Sequence, residues 1–279
     1  MSNASSKAKQ GAKQLEGETK EWVVRLARLG YAAKGTVYAL IGIMAFEAAF
    51  GSGSTNINTQ DALTKIITQP FGKVLLTIIV IGLIGYVIWE FVQAFADPEH
   101  VGSDAKGLAK RAASIFSGIG YAFLAYSGFR LLNGSGGSSN STRDFTAAAM
   151  SNPIGRWVVG LVGVGLIVLG FLQFYRAYKE DFTKRLKKSE MSAEEFQVAK
   201  RTGQFGLSAR GVVYLIIGYF LVQAAITYNP NKAGGLGKAF QTLASQPFGP
   251  WLLGLVAVGL IAYGIYAFIL ARYRRIYIR

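Results

Sequence analysis

Six long apolar stretches constrain the fold of this chain more than any other feature of its sequence. A helix of about 20 residues crosses a hydrocarbon core of roughly 30 Å. Because lipid offers the backbone no hydrogen-bond partners, a segment that crosses it must be a helix or a strand of a closed barrel. The stretches lack the alternating pattern of barrel strands, so we predict six transmembrane helices. They cover Tyr31–Phe50, Val74–Phe95, Ala112–Leu132, Trp157–Tyr175, Gly211–Tyr228 and Trp251–Ala271.

The composition supports a membrane protein and limits its chemistry. Hydrophobic residues make up 51% of the 279 residues and charged residues only 16%, which is not the balance of a soluble domain. The chain has no Cys, which excludes disulfides, thiolate metal sites and cysteine nucleophiles. It has no Gly-x-x-x-x-Gly-Lys-Ser/Thr motif for phosphate binding. Since no spacing of polar residues requires a catalytic site, we expect neither an enzyme nor a bound cofactor or metal.

The basic residues are distributed unequally between the two sides of the predicted bundle. If the N-terminus is cytoplasmic, that side carries 23 of the 30 Lys and Arg residues, and the opposite side carries 7. This asymmetry follows the positive-inside rule, so we predict that both termini are cytoplasmic. We therefore expect the net charge of +15 to interact with the lipid bilayer, whose headgroups on the cytoplasmic side are anionic. We expect no nucleic-acid partner.

A Pro-x-Gly motif precedes three of the apolar stretches. It occurs as Gln69-Pro70-Phe71-Gly72, Asn152-Pro153-Ile154-Gly155 and Gln246-Pro247-Phe248-Gly249, at spacings of 83 and 94 residues. Pro suits the first turn of a helix, and Gly permits a tight bend before it. A motif that restarts a long apolar segment three times indicates one structural unit used three times.

The three units define the expected domain organisation. We predict a polar cytoplasmic tail at residues 1–25, disordered or weakly helical, and repeats at 26–104, 105–192 and 193–279 with two transmembrane helices each. Repeat two includes a basic cytoplasmic linker. A short amphipathic segment such as Asp61–Ile67 precedes each hinge and should lie flat on the membrane surface. The expected fold class is all-α: a polytopic membrane protein of three repeated helical hairpins with short amphipathic surface helices.

Shorter elements recur in register within the repeats. The segment Lys34-Gly35-Thr36-Val37-Tyr38 matches Arg210-Gly211-Val212-Val213-Tyr214, whereas Ser117 stands at the basic position in repeat two. Together with the Pro-x-Gly hinges, these elements resemble those of the bacterial domain-of-unknown-function 1206 family over about residues 26–276. The resemblance implies a six-helix integral membrane protein and implies no activity. We expect a bacterial-type inner or equivalent membrane.

One set of polar residues lies near the outer ends of the first, third and fifth stretches. Glu47, Arg130 and Gln223 occupy equivalent positions in the three repeats. If the repeats pack around a pseudo-threefold axis, these side chains could converge as a polar cluster at a pathway or ligand pocket, with Glu47 paired to Arg130. The alternative is a structural ion pair, or side chains that reach separately to the membrane boundary.

A second polar set lies near the cytoplasmic ends of the second and fourth stretches. Glu90 and Gln93 are three residues apart, as are Gln173 and Arg176 at the matching positions of repeat two, so each pair shares one helix face. Glu90 could pair with Arg176 structurally, or it could serve as a protonatable site.

Three equivalent tyrosines complete the candidate residues. Tyr38, Tyr121 and Tyr214 recur once in each repeat. They could serve helix packing, or their phenol groups could line a central pocket.

The sequence favours a non-catalytic role without identifying it. Short segments outside the membrane and internal repeats favour a scaffold or stabiliser of other membrane proteins. The alternative is a site that binds or passes a small solute or ion between the three hairpins, since internal repeats and intramembrane acids are typical of such sites.

Overall fold

The computed structural model describes residues 2–51, 54–55, 57, 59–98, 102–135 and 141–275. These residues form nine α-helices and no β-strand. The helices are α1 (Ser2–Phe50), α2 (Thr59–Ile67), α3 (Gly72–Phe95), α4 (Ala105–Leu132), α5 (Ser141–Met150), α6 (Pro153–Lys179), α7 (Ala193–Ile226), α8 (Leu236–Ala244) and α9 (Gly249–Tyr273). The all-α fold class is confirmed.

Six of these helices are long and apolar enough to cross a membrane, and they contain five of the six predicted stretches in full and the fifth stretch, Gly211–Tyr228, up to Ile226. The candidate spans are Glu21–Phe50, Gly72–Phe95, Gly107–Leu132, Ile154–Lys179, Ala193–Ile226 and Gly249–Tyr273. The segment expected to be a separate tail is helical and continuous with the first span, because α1 begins at Ser2.

The helix α7 begins well before the predicted start of its apolar stretch. Ser192 caps it through a capping box with Glu195, in which each side chain accepts a hydrogen bond from the other residue's backbone N–H. The first turns bury Ala199 and place Gly203 against the ring of Phe182. Protein contacts therefore support this part of the helix, which hydropathy alone does not detect.

The helices form a ring in which the second spanning helix of each repeat packs against the first spanning helix of the next. Thus α3 packs on α4, α6 on α7, and α9 on α1. Within repeats, α1 packs on α3 and α7 packs on α9, but α4 and α6 do not pack together. The second unit is therefore not a closed hairpin, and the ring is open between α4 and α6.

Substitutions in repeat two explain why its two helices separate. In the closed hairpins, a Cβ at Gly30 would lie 2.7 Å from Tyr86, and a Cβ at Gly206 would lie 2.6 Å from Tyr263. The equivalent position in α4 is Ala113. Its methyl group prevents the close backbone approach that the two glycines permit.

A larger side chain at a second position of α4 also keeps α4 and α6 apart. Gly82 in α3 packs against Ala33, and Gly259 in α9 packs against Ala209. At the position of these alanines α4 carries Phe116, a residue that is 48% exposed. The bulky ring cannot fit where a methyl group fits, so the seam stays open.

The surface helices α2, α5 and α8 lie at one end of the ring, which we call the distal end. The other end, called the basic end, carries the start of the first span, the 3₁₀ turns Asp181–Arg185 and Lys188–Glu190, and the last described residues. An isolated β-bridge joins Leu186 to Arg274 there, and Lys187 N–H donates to the Tyr273 carbonyl at 2.9 Å. The basic linker is therefore tied to the end of the last helix rather than forming one continuous helix.

The hinges at the distal end differ in detail from the prediction. In repeat two, α6 begins at Pro153, as expected for Pro in a first turn. In repeats one and three the helices begin at Gly72 and Gly249, so Pro70 and Pro247 lie in the turn before the helix.

The tight bend in these two repeats is made by phenylalanine rather than glycine. Phe71 and Phe248 adopt left-handed backbone angles, with φ of 60° and 59°. The glycine that follows is required for a different reason, because a Cβ at Gly72 would collide with the carbonyl oxygen of Ile67.

We expect the closed seam of repeat three to be sensitive to one added methyl group. Gly206→Ala places that group against the backbone of Tyr263, and overpacking of this kind costs about 1–3 kcal/mol. The thermal unfolding midpoint in detergent should fall. The control is Gly120→Ala, because a Cβ at Gly120 meets nothing within 4 Å and should leave the midpoint unchanged or raise it. Equal midpoints for the two variants would contradict the proposed seam.

The orientation can be tested with single cysteines, since the chain has none of its own. Ser245 is exposed at the distal end and Ser189 is exposed in the turn Lys188–Glu190. In intact cells a membrane-impermeant maleimide should label Ser245→Cys, and it should label Ser189→Cys only after permeabilisation. The reverse pattern would show that the basic end faces outward.

Candidate functional site

The six spanning helices line a chamber of about 1800 Å³, which is open on the side between α4 and α6. It extends from Gln60 and Gly235 at the distal end to Arg185 and Arg275 at the basic end. The centre of the bundle is therefore hollow rather than filled by side chains.

The wall of the chamber changes character along its length. Towards the distal end the lining is mainly apolar and includes Ile41, Leu124, Val162, Ile217 and Leu260, with Thr59, Gln60, Ser127 and Thr146 as polar exceptions. The part nearer the basic end contains charged groups. Nine Lys and Arg residues line the whole chamber, against three acids, Glu90, Asp97 and Asp181. This excess of positive charge favours an anionic occupant.

Lys34 is one of two basic residues at the centre of the ring. Its side chain is buried, and its Nζ donates a hydrogen bond to Tyr86 Oη at 2.7 Å. The ammonium also lies 4.4 Å from the ring centroid of Tyr86, 5.0 Å from that of Tyr121 and 5.5 Å from that of Tyr263. The aromatic faces stabilise the charge in place of water.

Arg210 is the second central cation and occupies the position of Lys34 in repeat three. Its Nη2 donates a hydrogen bond to Tyr214 Oη, and its guanidinium carbon lies 4.3 Å from the ring centroid of Tyr263 and 5.1 Å from that of Tyr38. The Nε atom is buried and has no hydrogen-bond partner. One donor of this side chain is therefore available to a ligand.

Neither central cation forms an ion pair with a carboxylate among the described residues. Glu90, which lines the same region, accepts a hydrogen bond from Ser117 Oγ at 3.2 Å, and its carboxylate also interacts with the Tyr86 hydroxyl and, through space, with Lys34. The two positive charges thus share with one acid, Glu90, a buried site whose walls are mostly phenol rings.

The cluster is built from equivalent positions of the repeats, and repeat two departs from the pattern. Repeats one and three supply Lys34 with Tyr86 and Arg210 with Tyr263, but repeat two has Ser117 and Leu169 at these positions. The repeat that lacks the cation and the second tyrosine is also the repeat whose helices separate. The tyrosines of α3 and α9 were not among the predicted site residues, although their common distance from the Pro-x-Gly hinges could have revealed them.

The three predicted tyrosines all line the chamber. The Tyr121 hydroxyl donates to that of Tyr38 at 3.4 Å, and Tyr38 also packs edge-on against Tyr263 at 4.7 Å between centroids. Tyr214 joins the same cluster through Arg210.

The predicted pairing of Glu47 with Arg130 is wrong. Glu47 forms an exposed ion pair with Lys65 of α2 at 3.0 Å, and Arg130 is exposed. Gln223 is half-buried, and no contact joins it to the other two. Glu47 lies nine residues beyond Tyr38, which at about 3.6 residues per turn is about two and a half turns, so the two side chains leave opposite faces of α1. A helix that directs Tyr38 into the ring therefore directs Glu47 away from it.

The predicted pairing of Glu90 with Arg176 is also wrong. Glu90 is held by Ser117 of α4, whereas Arg176 lies on α6, across the opening. Gln93 accepts a hydrogen bond from Arg274 Nη2 at 3.0 Å. Gln173 is buried, and its Oε1 has no hydrogen-bond partner. All four members of this set line the chamber.

We expect removal of a central cation to stabilise the ligand-free protein. A buried charge without a counterion is costly, so Arg210→Met should raise the thermal unfolding midpoint in detergent. The matched control is Arg156→Met at the distal end. There Arg156 Nε donates to the Ala225 carbonyl at 2.8 Å and the guanidinium carbon lies 3.3 Å from the ring centroid of Tyr228, so its loss should lower stability by about 1 kcal/mol. A lower midpoint for both variants would show that Arg210 is a purely structural residue.

Comparison with known proteins finds matches that coincide with the three repeats. A family model described as Domain of Unknown Function (DUF1206) matches three segments, residues 29–97, 112–180 and 205–274. "Uncharacterized protein YxxB" of Bacillus subtilis (strain 168) is 38% identical over 253 residues, which is 91% of this chain and 92% of the relative. No solved structure matches the chain. With six candidate membrane-spanning helices arranged as three copies of the matched unit, the chain belongs to the DUF1206 family.

Proposed function

We propose that this integral membrane protein binds a small anionic molecule in the chamber between its three repeats, as a non-catalytic binding protein. The observation that carries the proposal is the pair of buried cations, Lys34 and Arg210, which have aromatic partners and form no direct ion pair. Glu90 is one acid beside two basic groups. Glu90 offsets one of the two positive charges, and an anion placed between the cations would balance the other.

The energetic argument concerns the cost of this arrangement in the empty protein. Moving a charged side chain out of water costs several kcal/mol. Each cation–π contact stabilises the charge by about 0.5–2 kcal/mol, which offsets part of that cost. The hydrogen bonds to Tyr86 and Tyr214 return a further part. An apolar side chain could fill the same space without the free-energy cost of burying a charge. The two charges therefore favour a site that binds a ligand over a role in packing alone.

The geometry suits a phosphate or carboxylate group. Guanidinium donors lie in a plane and match the oxygens of both groups, and an ammonium adds a point charge. Arg210 offers its unpartnered Nε, and the rings around both cations restrict their motion. The donors are therefore oriented before the ligand arrives, which lowers the entropic cost of binding.

A scaffolding role is the second candidate. It is favoured by α4 and α6, which are the least buried of the six spans and leave one side of the ring without a neighbouring helix. A helix of a partner membrane protein could lie along these faces. If this candidate holds, the protein should be recovered from mild detergent in a fixed ratio with that partner, and small anions should not affect its stability.

The binding proposal is tested with hexyl phosphate, which joins an anionic group to a short apolar chain. It should raise the thermal unfolding midpoint of the detergent-solubilised protein and give saturable heat in titration calorimetry. In the double variant Lys34→Met/Arg210→Met the affinity should fall at least tenfold, because a charge-assisted hydrogen bond contributes about 1.5–3 kcal/mol.

The controls for this experiment separate the chamber from surface charge. Arg156→Met removes a cation at the distal end and should leave the affinity unchanged. Hexanol, which lacks the charge, should give no saturable heat. Equal affinities of the wild-type protein and the double variant for hexyl phosphate would overturn the proposal.

A further inference from the structure

We infer that the anion is the headgroup of a membrane phospholipid, which enters the chamber sideways between α4 and α6. The inference rests on the proposed binding of an anion by Lys34 and Arg210. It adds the source of that anion and the route by which it arrives.

The route is the open seam of repeat two. Gly120 of α4 and Gly165 of α6 both line the chamber, and a Cβ at either glycine would meet nothing within 4 Å. In repeat one the positions equivalent to these glycines are Val37, which is 1% exposed, and Gly82, which packs against Ala33. The same two positions are thus sealed in a closed hairpin and open in this one. We call this opening the portal.

The portal faces the surroundings of the spanning helices. On either side of it, α4 and α6 expose large apolar side chains such as Phe116, Phe123, Leu161 and Leu172. In a bilayer these faces contact acyl chains, so a molecule that passes between them comes from the lipid. A water-soluble ligand would not reach an opening that is bordered by apolar side chains and faces acyl chains instead of water.

The polarity of the chamber matches the orientation of a lipid from the leaflet at the basic end. Lys34 lies 16 residues before Phe50, so at about 1.5 Å per residue it is about 24 Å from the distal end of α1. In a hydrocarbon core of roughly 30 Å this places the cation near the boundary at the basic end. The apolar part of the chamber then lies towards the middle of the bilayer, where the acyl chains of such a lipid lie.

Two of the buried polar atoms that lack a partner lie in the half of the chamber nearer the basic end, and they point to the headgroup. Arg210 is 8% exposed and Gln173 is 6% exposed, and both line the chamber. Arg210 Nε can donate to a phosphate oxygen, and Gln173 Oε1 can accept from a headgroup hydroxyl. Together they favour an anionic phospholipid with a hydroxylated headgroup, such as a phosphatidylglycerol.

The size of the chamber also favours a lipid over a simple anion. Drug-sized ligands occupy pockets of about 300–1,000 Å³. The chamber has about 1800 Å³, which leaves room for apolar chain in addition to a headgroup. Inorganic phosphate would leave most of this apolar surface uncovered.

The test blocks the portal with larger side chains and measures how much lipid remains bound to the protein. The double variant Gly120→Leu/Gly165→Leu adds bulk where the structure has open space, and Gly120→Ala/Gly165→Ala is the matched control that leaves the portal open. Each protein is reconstituted in phosphatidylcholine bilayers containing phosphatidylglycerol, extracted in mild detergent and examined by native mass spectrometry. Hexyl phosphate and inorganic phosphate are titrated into the same preparations.

We expect the wild-type protein and the alanine variant to retain one phosphatidylglycerol in preference to phosphatidylcholine. The leucine variant should lose most of that lipid while still binding hexyl phosphate. Inorganic phosphate should bind the wild-type protein at least tenfold more weakly than hexyl phosphate does.

Other outcomes separate this inference from the function on which it rests. If the wild-type protein binds hexyl phosphate but shows no preference for phosphatidylglycerol, or binds inorganic phosphate equally well, the lipid inference fails and anion binding stands. If the leucine variant retains as much lipid as the wild-type protein, the portal is wrong. If the wild-type protein binds neither hexyl phosphate nor phosphatidylglycerol, both proposals fail. Should the leucine variant unfold, the headgroup preference of the wild-type protein decides alone.

Discussion

Close approach of helix backbones is the constraint on which the rest of this structure depends. Lipid is as apolar as a leucine side chain, so hydrophobic burial does not drive helices together inside a membrane, and packing must do so. The seams of the ring accordingly meet at glycine. A Cβ at Gly35 would lie 2.9 Å from the Gly264 carbonyl oxygen between α1 and α9, and a Cβ at Gly211 would lie 3.1 Å from the Gly170 carbonyl oxygen between α6 and α7. Where repeat two replaces small residues by larger ones, the helices separate.

The substitutions in repeat two also determine where the chamber opens and which repeats supply its cations. Three identical repeats would close into a symmetric ring with a cation from each unit, and three buried positive charges at one point would repel each other strongly. Repeat two supplies Ser117 in place of a cation, and that serine donates to Glu90. Loss of packing and loss of charge thus occur in one unit, which leaves two cations beside an opening. This coincidence connects the architecture to the proposed binding of an anion from the membrane.

The candidate site was only partly predictable. The equivalence of Tyr38, Tyr121 and Tyr214 is visible in the sequence, and all three line the chamber. The sequence also shows Lys34 and Arg210 at matching positions, but it does not show that Tyr86 and Tyr263 enclose them, since this depends on how α3 and α9 are rotated. The pairing of Glu47 with Arg130 failed for the same reason: equivalent positions share a depth in the membrane, but they converge only if they lie on the inner face of each helix.

The sequence by itself determined the number of spanning helices, their repeat relationship and the concentration of basic residues at one end. These properties follow from segment length and from where charges are excluded, and both can be counted along the chain. Only the tertiary structure decided which helix faces turn inward, that the ring opens between α4 and α6, and that Lys34 and Arg210 meet at a hollow centre. In a membrane the outward and inward faces of a helix are both apolar, so hydrophobic periodicity does not distinguish them. Contacts between glycine, alanine and aromatic side chains make that choice, and they exist only once the helices are packed.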